Sequence, residues 1–144
     1  VNKWDIAASR EAGGAESFRK NLLARFPFIQ DYPILFTSGL TGRNVQKILD
    51  AVIRVGNNRR MRISTSRLNK LLETVVFEGY YSKTGKDLKV VYATQHAINP
   101  PTFTIFSNTS VKINQSTRRH FEKLLRTEFG FEGSPIRILW RTRR

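Results

Sequence analysis

The 144-residue chain has no cysteine, which excludes disulfides as a source of stability and fits the cytoplasmic location expected for it. Without cysteine, and with only His96 and His120 as histidines, little is available to build a zinc site, and no metal site is expected. No run of about 18 apolar residues occurs, so no segment reads as a membrane span and no membrane partner is expected. The opening residues Val1 to Asp5 lack the charged-then-apolar order of a signal peptide. Neither histidine stands in a carboxylate–His–nucleophile pattern, and no residue reads as catalytic. Acidic residues are scarce, with 11 Asp and Glu against 25 Lys and Arg, a net charge of +14.

Hydrophobic residues make up 40% of the chain and include ten Phe, so a packed core is expected rather than disorder. The charge is uneven. Residues 1–56 hold 8 basic and 5 acidic side chains, whereas residues 57–144 hold 17 and 6. A balance this basic suits an anionic partner, which belongs with the second part of the chain.

The first third alternates helix and strand. Residues 9–25 read as a helix with Phe18, Leu22 and Leu23 on one face, its start weakened by Gly13-Gly14. Residues 33–37 form a short apolar run of the kind found in a strand covered on both faces. A loop over 37–42 leads to an amphipathic helix carrying Val45, Ile48, Leu49, Val52 and Val55, which Gly56-Asn57-Asn58 should end. The domain boundary is placed near residue 58, giving parts 1–58 and 59–144, with Arg59, Arg60 and Arg62 in a basic linker.

The second part reads as helix, strand, strand, helix, strand. Ser64-Thr65-Ser66 can cap a helix with Leu68, Leu71, Leu72 and Val75 on one side. A polar turn over 79–86 follows, then strands over 88–95 and 102–108 split by Asn99-Pro100-Pro101. Ser116 or Thr117 can cap a helix with Phe121, Leu124, Leu125 and Phe129 inward, stopped by Gly130 and Gly133. A last strand over 136–142 alternates Ile136, Ile138 and Trp140 with Arg137, Leu139 and Arg141. The fold class is therefore α+β, a two-layer domain with a three-stranded sheet and helices on one face. Leu88, Val90 and Tyr92 alternate with Val91 and Ala93, and Phe103 and Ile105 with Phe106, so apolar residues also stand on the second sheet face. It is expected to be covered by the first segment, a second copy or a further domain.

Two loops carry chemistry. Asn2-Lys3-Trp4-Asp5 matches the Asn-Lys-x-Asp guanine-specificity motif of GTPases. Guanine offers an N1–H beside an exocyclic amine, and the Asp5 carboxylate can accept from both. Asn2 would serve the N7/O6 edge and the neighbouring loop, and the Lys3 stem would lie over the base. The bland alternative is a polar turn with Asp5 at a helix start. Ser38-Gly39-Leu40, after the apolar run, occupies the place of the Ser-Ala-x loop that points backbone N–H toward guanine O6. Order and spacing are those of the last third of a GTPase domain.

With Pro33-Ile-Leu-Phe-Thr-Ser-Gly-Leu-Thr-Gly42, these loops resemble the second GTPase domain of the EngA (Der) family of bacterial ribosome-assembly GTPases. Thr65-Ser-Arg-Leu-Asn69, Tyr92-Ala-Thr-Gln95, Pro100-Pro-Thr-Phe103 and Gly133-Ser-Pro-Ile-Arg137 are similar to the same family, so the resemblance covers nearly the whole chain. It implies the C-terminal portion of an α/β P-loop GTPase domain followed by a KH-like domain. The implied function is large ribosomal subunit assembly. The implied partners are ribosomal RNA, the large subunit and the GTPase domains lacking here; the implied cofactor is GTP or GDP with Mg in the intact parent. Gly39 departs from the usual Ala by one methyl. No Gly-x-x-x-x-Gly-Lys-Ser/Thr phosphate loop and no Asp-x-x-Gly element occurs, so the chain reads as a truncated piece. It is expected neither to bind GTP tightly nor to hydrolyse it. Residues 1–56 look too few to bury their apolar surface, so partial disorder, packing on the other domain or self-association is expected.

For RNA, Arg119, Lys123 and Arg126 recur on one helical face with Arg118 beside them, and Arg137, Arg141 and Arg143 share one face of the last strand. Such groups contact phosphates; the alternative is an ordinary solvated face. Gly130-Phe-Glu-Gly133 has the Gly-x-x-Gly form of a KH clamp, but a strand rather than a helix follows, and Glu132 would repel phosphate, so it reads as a helix stop. Tyr80, Tyr81 and Phe131 could stack on bases or simply pack. A different class of function is also consistent with the sequence: a protein-interaction module whose apolar sheet face docks the GTPase domains and reports their nucleotide state.

Overall fold

Two strands joined through Asn99-Pro100-Pro101 and a third reached by a helical crossover make the sheet. The structure is a computed structural model and describes residues 1–9, 12–76, 90–108 and 115–142. It divides into two compact units, Val1–Asn57 and Asn58–Arg144.

In the second unit, β1 (Val90–Ala97) pairs antiparallel with β2 (Thr102–Ser107), and β2 pairs parallel with β3 (Arg137–Thr142). A parallel pair needs a crossover, and α5 (Gln115–Phe129) lies within it. Register shifts fall between Val90 and Tyr92 and between Gln95 and Ala97. The first lifts Val91 out of the alternation, so Val90 pairs with Ser107 while Tyr92 lies opposite Phe106 on the other face.

One face of this sheet is the core. Ala93, Phe103 and Ile105 are buried there, with Ile138 and Trp140 packed beside them. They meet Leu68 and Leu72 of α4 (Thr65–Val76) and Phe121 and Leu125 of α5, residues spaced to share one helical side. Phe121 meets Trp140 edge-on at 5.0 Å, and Phe103 meets Phe131 at 5.8 Å. Burying side chains this size is worth about 1.5–3 kcal/mol each. The α+β class with both helices on one face is as the hydrophobic periodicity requires.

Two polar side chains, the buried Gln95 and the half-buried Asn69, fasten this core at its edges. Gln95 donates to the Met61 carbonyl at 2.9 Å and accepts from the Ile63 N–H at 2.7 Å. Asn69 accepts from the Ala93 N–H at 2.8 Å and donates to the Ala93 carbonyl at 3.1 Å. Leu68, beside Asn69, is among the most buried side chains. The Thr-x-x-Leu-Asn and Tyr-Ala-Thr-Gln segments therefore carry structural clamps.

Several expected boundaries moved. The helix expected to stop at Gly56 is α3 (Gln46–Arg60), which runs through Gly56-Asn57-Asn58 and takes Arg59 and Arg60 into its last turn. Gly and Asn permit a left-handed cap without compelling one. Here the Arg59 carbonyl is taken up by the Asn99 N–H instead. Ser116 and Thr117 lie inside the first turn of α5 rather than capping it, and Thr117 is buried. Ser64 does cap α4, accepting from the Arg67 N–H at 3.4 Å. Gly130, at φ 91°, ends α5 as expected. The polar turn over 79–86, with Tyr80 and Tyr81, lies outside the described residues.

In the first unit, α1 (Trp4–Ala7) comes first, and the helix expected over 9–25 is α2 (Gly14–Arg25), which starts after Gly13 at φ 96°. The expected strand over 33–37 forms no regular ladder with the described residues. Only a few bonds tie it to residues 1–4: Val1 N to the Leu35 carbonyl at 2.8 Å, Thr37 N to the Val1 carbonyl at 2.8 Å, and Trp4 N to the Thr37 carbonyl at 2.9 Å. Trp4 is buried, packing 4.4 Å from Phe36 and 5.4 Å from Phe18. Along α3, Ile48, Leu49, Val52 and Ile53 stay exposed.

Candidate functional site

The two guanine-type loops meet. Bonds from residues 1–4 to the 35–37 segment bring Asn2 beside Gly39, whose N–H donates to Asn2 Oδ1 at 3.2 Å. Ser38 is fully buried, and its Oγ accepts from the Thr41 N–H at 3.2 Å, which closes the loop. A Cβ built at Gly39 would lie 4.0 Å from Asn2 Oδ1, an ordinary contact, so the loop has room for the usual Ala and tolerates its absence. Leu40 is exposed at the tip. Lys3 takes a left-handed backbone, φ 59°, at the turn into α1. Trp4 anchors the motif in the aromatic cluster, so Asn2, Lys3 and Asp5 are carried on a fixed base.

Asp5 is distinctive. Its Oδ1 is buried and has no hydrogen-bond partner among the described residues. A buried acceptor left unmet costs about 1–3 kcal/mol, and such atoms call for an explanation. Asn2 and Gly39 are thus brought together, with Lys3 and Asp5 following Asn2 in the chain and Ser38 and Leu40 flanking Gly39.

The basic residues do not form one surface. α5 buries Phe121 and Leu125 on the core face of the sheet, leaving Arg119 and Lys123 exposed on its outer side and Arg118 exposed near its start. Arg137 and Arg141 are exposed on the opposite face of the sheet, in register with Thr102 and Phe106 of β2. The sheet therefore stands between the two groups. Arg143 lies outside the described residues.

Arg126 differs from its neighbours. Its side chain is 12% exposed, and its guanidinium donates to Glu122 Oε1, to the Phe131 carbonyl at 2.9 Å and to the Ser134 carbonyl at 3.0 Å. It braces the loop after α5 rather than facing solvent. Phe131 is not a surface stacking residue either. It is fully buried against Phe103, and its φ of 67° turns the chain inward between Gly130 and Gly133. The Gly130–Gly133 loop is thus held from within. His96 is exposed, with Nδ1 3.1 Å from Thr104 Oγ1, and His120 is half-buried, edge-on to Phe121.

One pairing was not read from the sequence. Tyr92 and Phe106, opposite each other on the outer sheet face, stack with centroids 4.3 Å apart and planes 12° from parallel. The signal was the period-two alternation of both strands, obscured by the irregularity at Val91.

Comparison with known proteins bears on both units. Residues 62–141 match the family described as "KH-domain-like of EngA bacterial GTPase enzymes, C-terminal". Over 142 residues, 98% of the chain, the sequence is 41% identical to GTPase Der of Alkaliphilus oremlandii. It is 36% identical to GTPase Der of Trichormus variabilis over 146 residues, 100% of the chain. It is 38% identical to GTPase Der of Gloeobacter violaceus over 143 residues, 98% of the chain. The chain spans 32%, 32% and 31% of these relatives' lengths, about a third of each. With a three-stranded sheet backed by α4 and α5 and a match over 62–141, the chain belongs to the EngA (Der) family, whose C-terminal KH-like domain it contains.

Proposed function

We propose that this chain is the C-terminal region of a GTP-binding protein that acts in large ribosomal subunit assembly, and that its basic KH-like unit contacts ribosomal RNA. The observation that carries the reading is the outer side of α5. Arg119 and Lys123 are exposed there and Arg118 is exposed near the helix start, with no ion pair to any described residue. Cations held on a rigid helix and left without counter-charges suit phosphate oxygens, which they bind without reading sequence.

The first unit supports the GTP part. Asp5 Oδ1, an acceptor without a partner, and Asn2, tied to Gly39, suit a guanine edge. In the intact parent, bound GTP or GDP with Mg would supply the phosphate chemistry, and the residues of this chain would hold the base. Its relatives are named GTPases, and GTP hydrolysis is proposed for the whole protein only.

The test is binding of the chain to fragments of 23S ribosomal RNA across a salt series, with GDP binding in parallel. Binding that weakens steeply with salt, with a slope of about −0.7 per phosphate contact on single strands, supports the reading. No RNA binding at moderate salt refutes it and turns the assignment to docking of the GTPase domains.

A further inference from the structure

The outer face of the sheet combines features that an ordinary solvent face lacks. Tyr92 and Phe106 stack in parallel, whereas the other described ring pairs meet edge-on or tilted. The pair is not core. The buried apolar residues of these strands, Ala93, Phe103 and Ile105, point to the opposite side, while Thr102 and Thr104 are the buried residues of the outer face. Tyr92 is 38% exposed, and Leu139 on β3 of the same face is 40% exposed. Tyr92 and Leu139 exposed to water beside a half-buried Phe106 form an apolar patch of the sort that marks a binding surface.

Charge decides what kind of partner fits. Arg141 is aligned with Phe106, which is itself aligned with Tyr92, so one row across the sheet reads tyrosine, phenylalanine, arginine. Arg137 is aligned with Thr102 at the start of β3 on the same face. Strands lie about 4.8 Å apart, which sets Arg141 about 5 Å from the Phe106 strand and about 10 Å from the Tyr92 strand. Both arginines are exposed and make no side-chain hydrogen bond or ion pair with the described residues. The remainder of the face is Thr94, His96, Thr104 and Leu139, with no carboxylate among the described residues. A protein surface docking on a patch with two uncompensated guanidinium groups would need acidic side chains facing it. A nucleic-acid strand brings both needed groups in every residue: a flat base for the rings and a phosphate for the guanidinium.

We infer that the outer sheet face is a platform for unpaired RNA, with a base continuing the Tyr92–Phe106 stack and phosphates on Arg141 and Arg137. This rests on the RNA-binding reading and adds a second surface to it. α5 meets phosphates without regard to pairing, whereas the sheet face requires exposed bases. A duplex hides its base faces, so the platform selects single-stranded loops or ends. The two surfaces lie on opposite sides of the sheet, so a structured RNA reaches both by passing around its edge.

The test uses the chain with a short oligoadenylate carrying a fluorescent adenine analogue whose emission is quenched by stacking, and a duplex of equal length as a second probe. The wild-type chain is expected to bind the single strand and quench it. Tyr92→Ala should weaken single-strand binding by about fivefold to a hundredfold, the range of one lost base stack, and abolish quenching. It should leave the salt slope and duplex binding unchanged. Tyr92→Phe should retain both binding and quenching. Arg141→Ala should lower the salt slope by about 0.7. Tyr92 is exposed, so its replacement should not unfold the chain, and an unchanged melting temperature checks this. If the wild type binds RNA while Tyr92→Ala binds and quenches equally, the platform is refuted, the α5 reading stands, and the face belongs to a protein partner. If the wild type binds no RNA, both readings fall together.

Discussion

Replacing Arg126 with alanine separates a structural cation from a binding one on a single helix. The wild-type guanidinium holds two backbone carbonyls of the loop after α5, those of Phe131 and Ser134, and pairs with Glu122 one turn back. Hydrogen bonds to a charged group contribute about 1.5–3 kcal/mol each. The loop is partly wet, since Gly130 and Glu132 are exposed, so water replaces some of what is lost. The pair with Glu122, which is 36% exposed, adds only about 0.3–0.5 kcal/mol. A net loss of about 2–4 kcal/mol follows. For a unit this size that is roughly 10–25 °C in melting temperature. Arg126→Lys should recover less than half, because an ammonium on a flexible stem lacks the planar fork that reaches two carbonyls and a carboxylate. Thermal unfolding followed by circular dichroism, beside an RNA salt series, provides the readout. Arg126→Ala with an unchanged melting temperature and a salt slope reduced by about 0.7 would refute the reasoning and make Arg126 a phosphate contact after all.

Replacing Arg118, Arg119 and Lys123 together with alanine should shift stability by less than about 1 kcal/mol while lowering the RNA salt slope by about 2, read from binding isotherms at several salt concentrations. Gln95→Ala should cost about 2–3 kcal/mol in urea unfolding, because it strips partners from the Met61 carbonyl and the Ile63 N–H. Gln95→Glu should cost at least as much, since a carboxylate cannot donate to that carbonyl. With Leu49, Val52 and Ile53 of α3 exposed, the chain should self-associate as its concentration rises. Val52→Lys with Ile53→Glu should suppress this in sedimentation velocity.

Periodicity made α4, α5 and the three strands legible, because each has one apolar face and the register of a strand follows from which residues must be buried. It could not tell on which side of the sheet two separate basic faces come to rest. Arg119 and Arg141 read as belonging to two faces, on a helix and on a strand, and the sheet stands between them. Nor could spacing distinguish Arg126 from Lys123. Both lie on the outer side of α5, but only Arg126 is near enough to the helix end to reach the carbonyls beyond it. Gly56 misled for a related reason: whether such a residue ends a helix depends on partners far along the chain, here the Asn99 N–H that meets the Arg59 carbonyl. Phe131 read as a turn aromatic, yet its positive φ turns it into the core. The meeting of Asn2 with Gly39 was legible because the two loops stand in the order and spacing of a known motif pair.

Asn69 has a further consequence for how copies of this chain behave toward each other. Among the described strands β1 has one neighbour, β2, and its other edge would offer open N–H and C=O groups beside Val90, Val91 and Tyr92. Such an edge is a template on which another chain can grow a sheet. The Asn69 carboxamide occupies that edge at Ala93, donor to carbonyl and acceptor to N–H, like a strand one residue long. It works as a stopper against sheet extension. Its removal would open the middle of β1 to the same strand of a second copy, and the folded domain would carry its own seed for fibre growth.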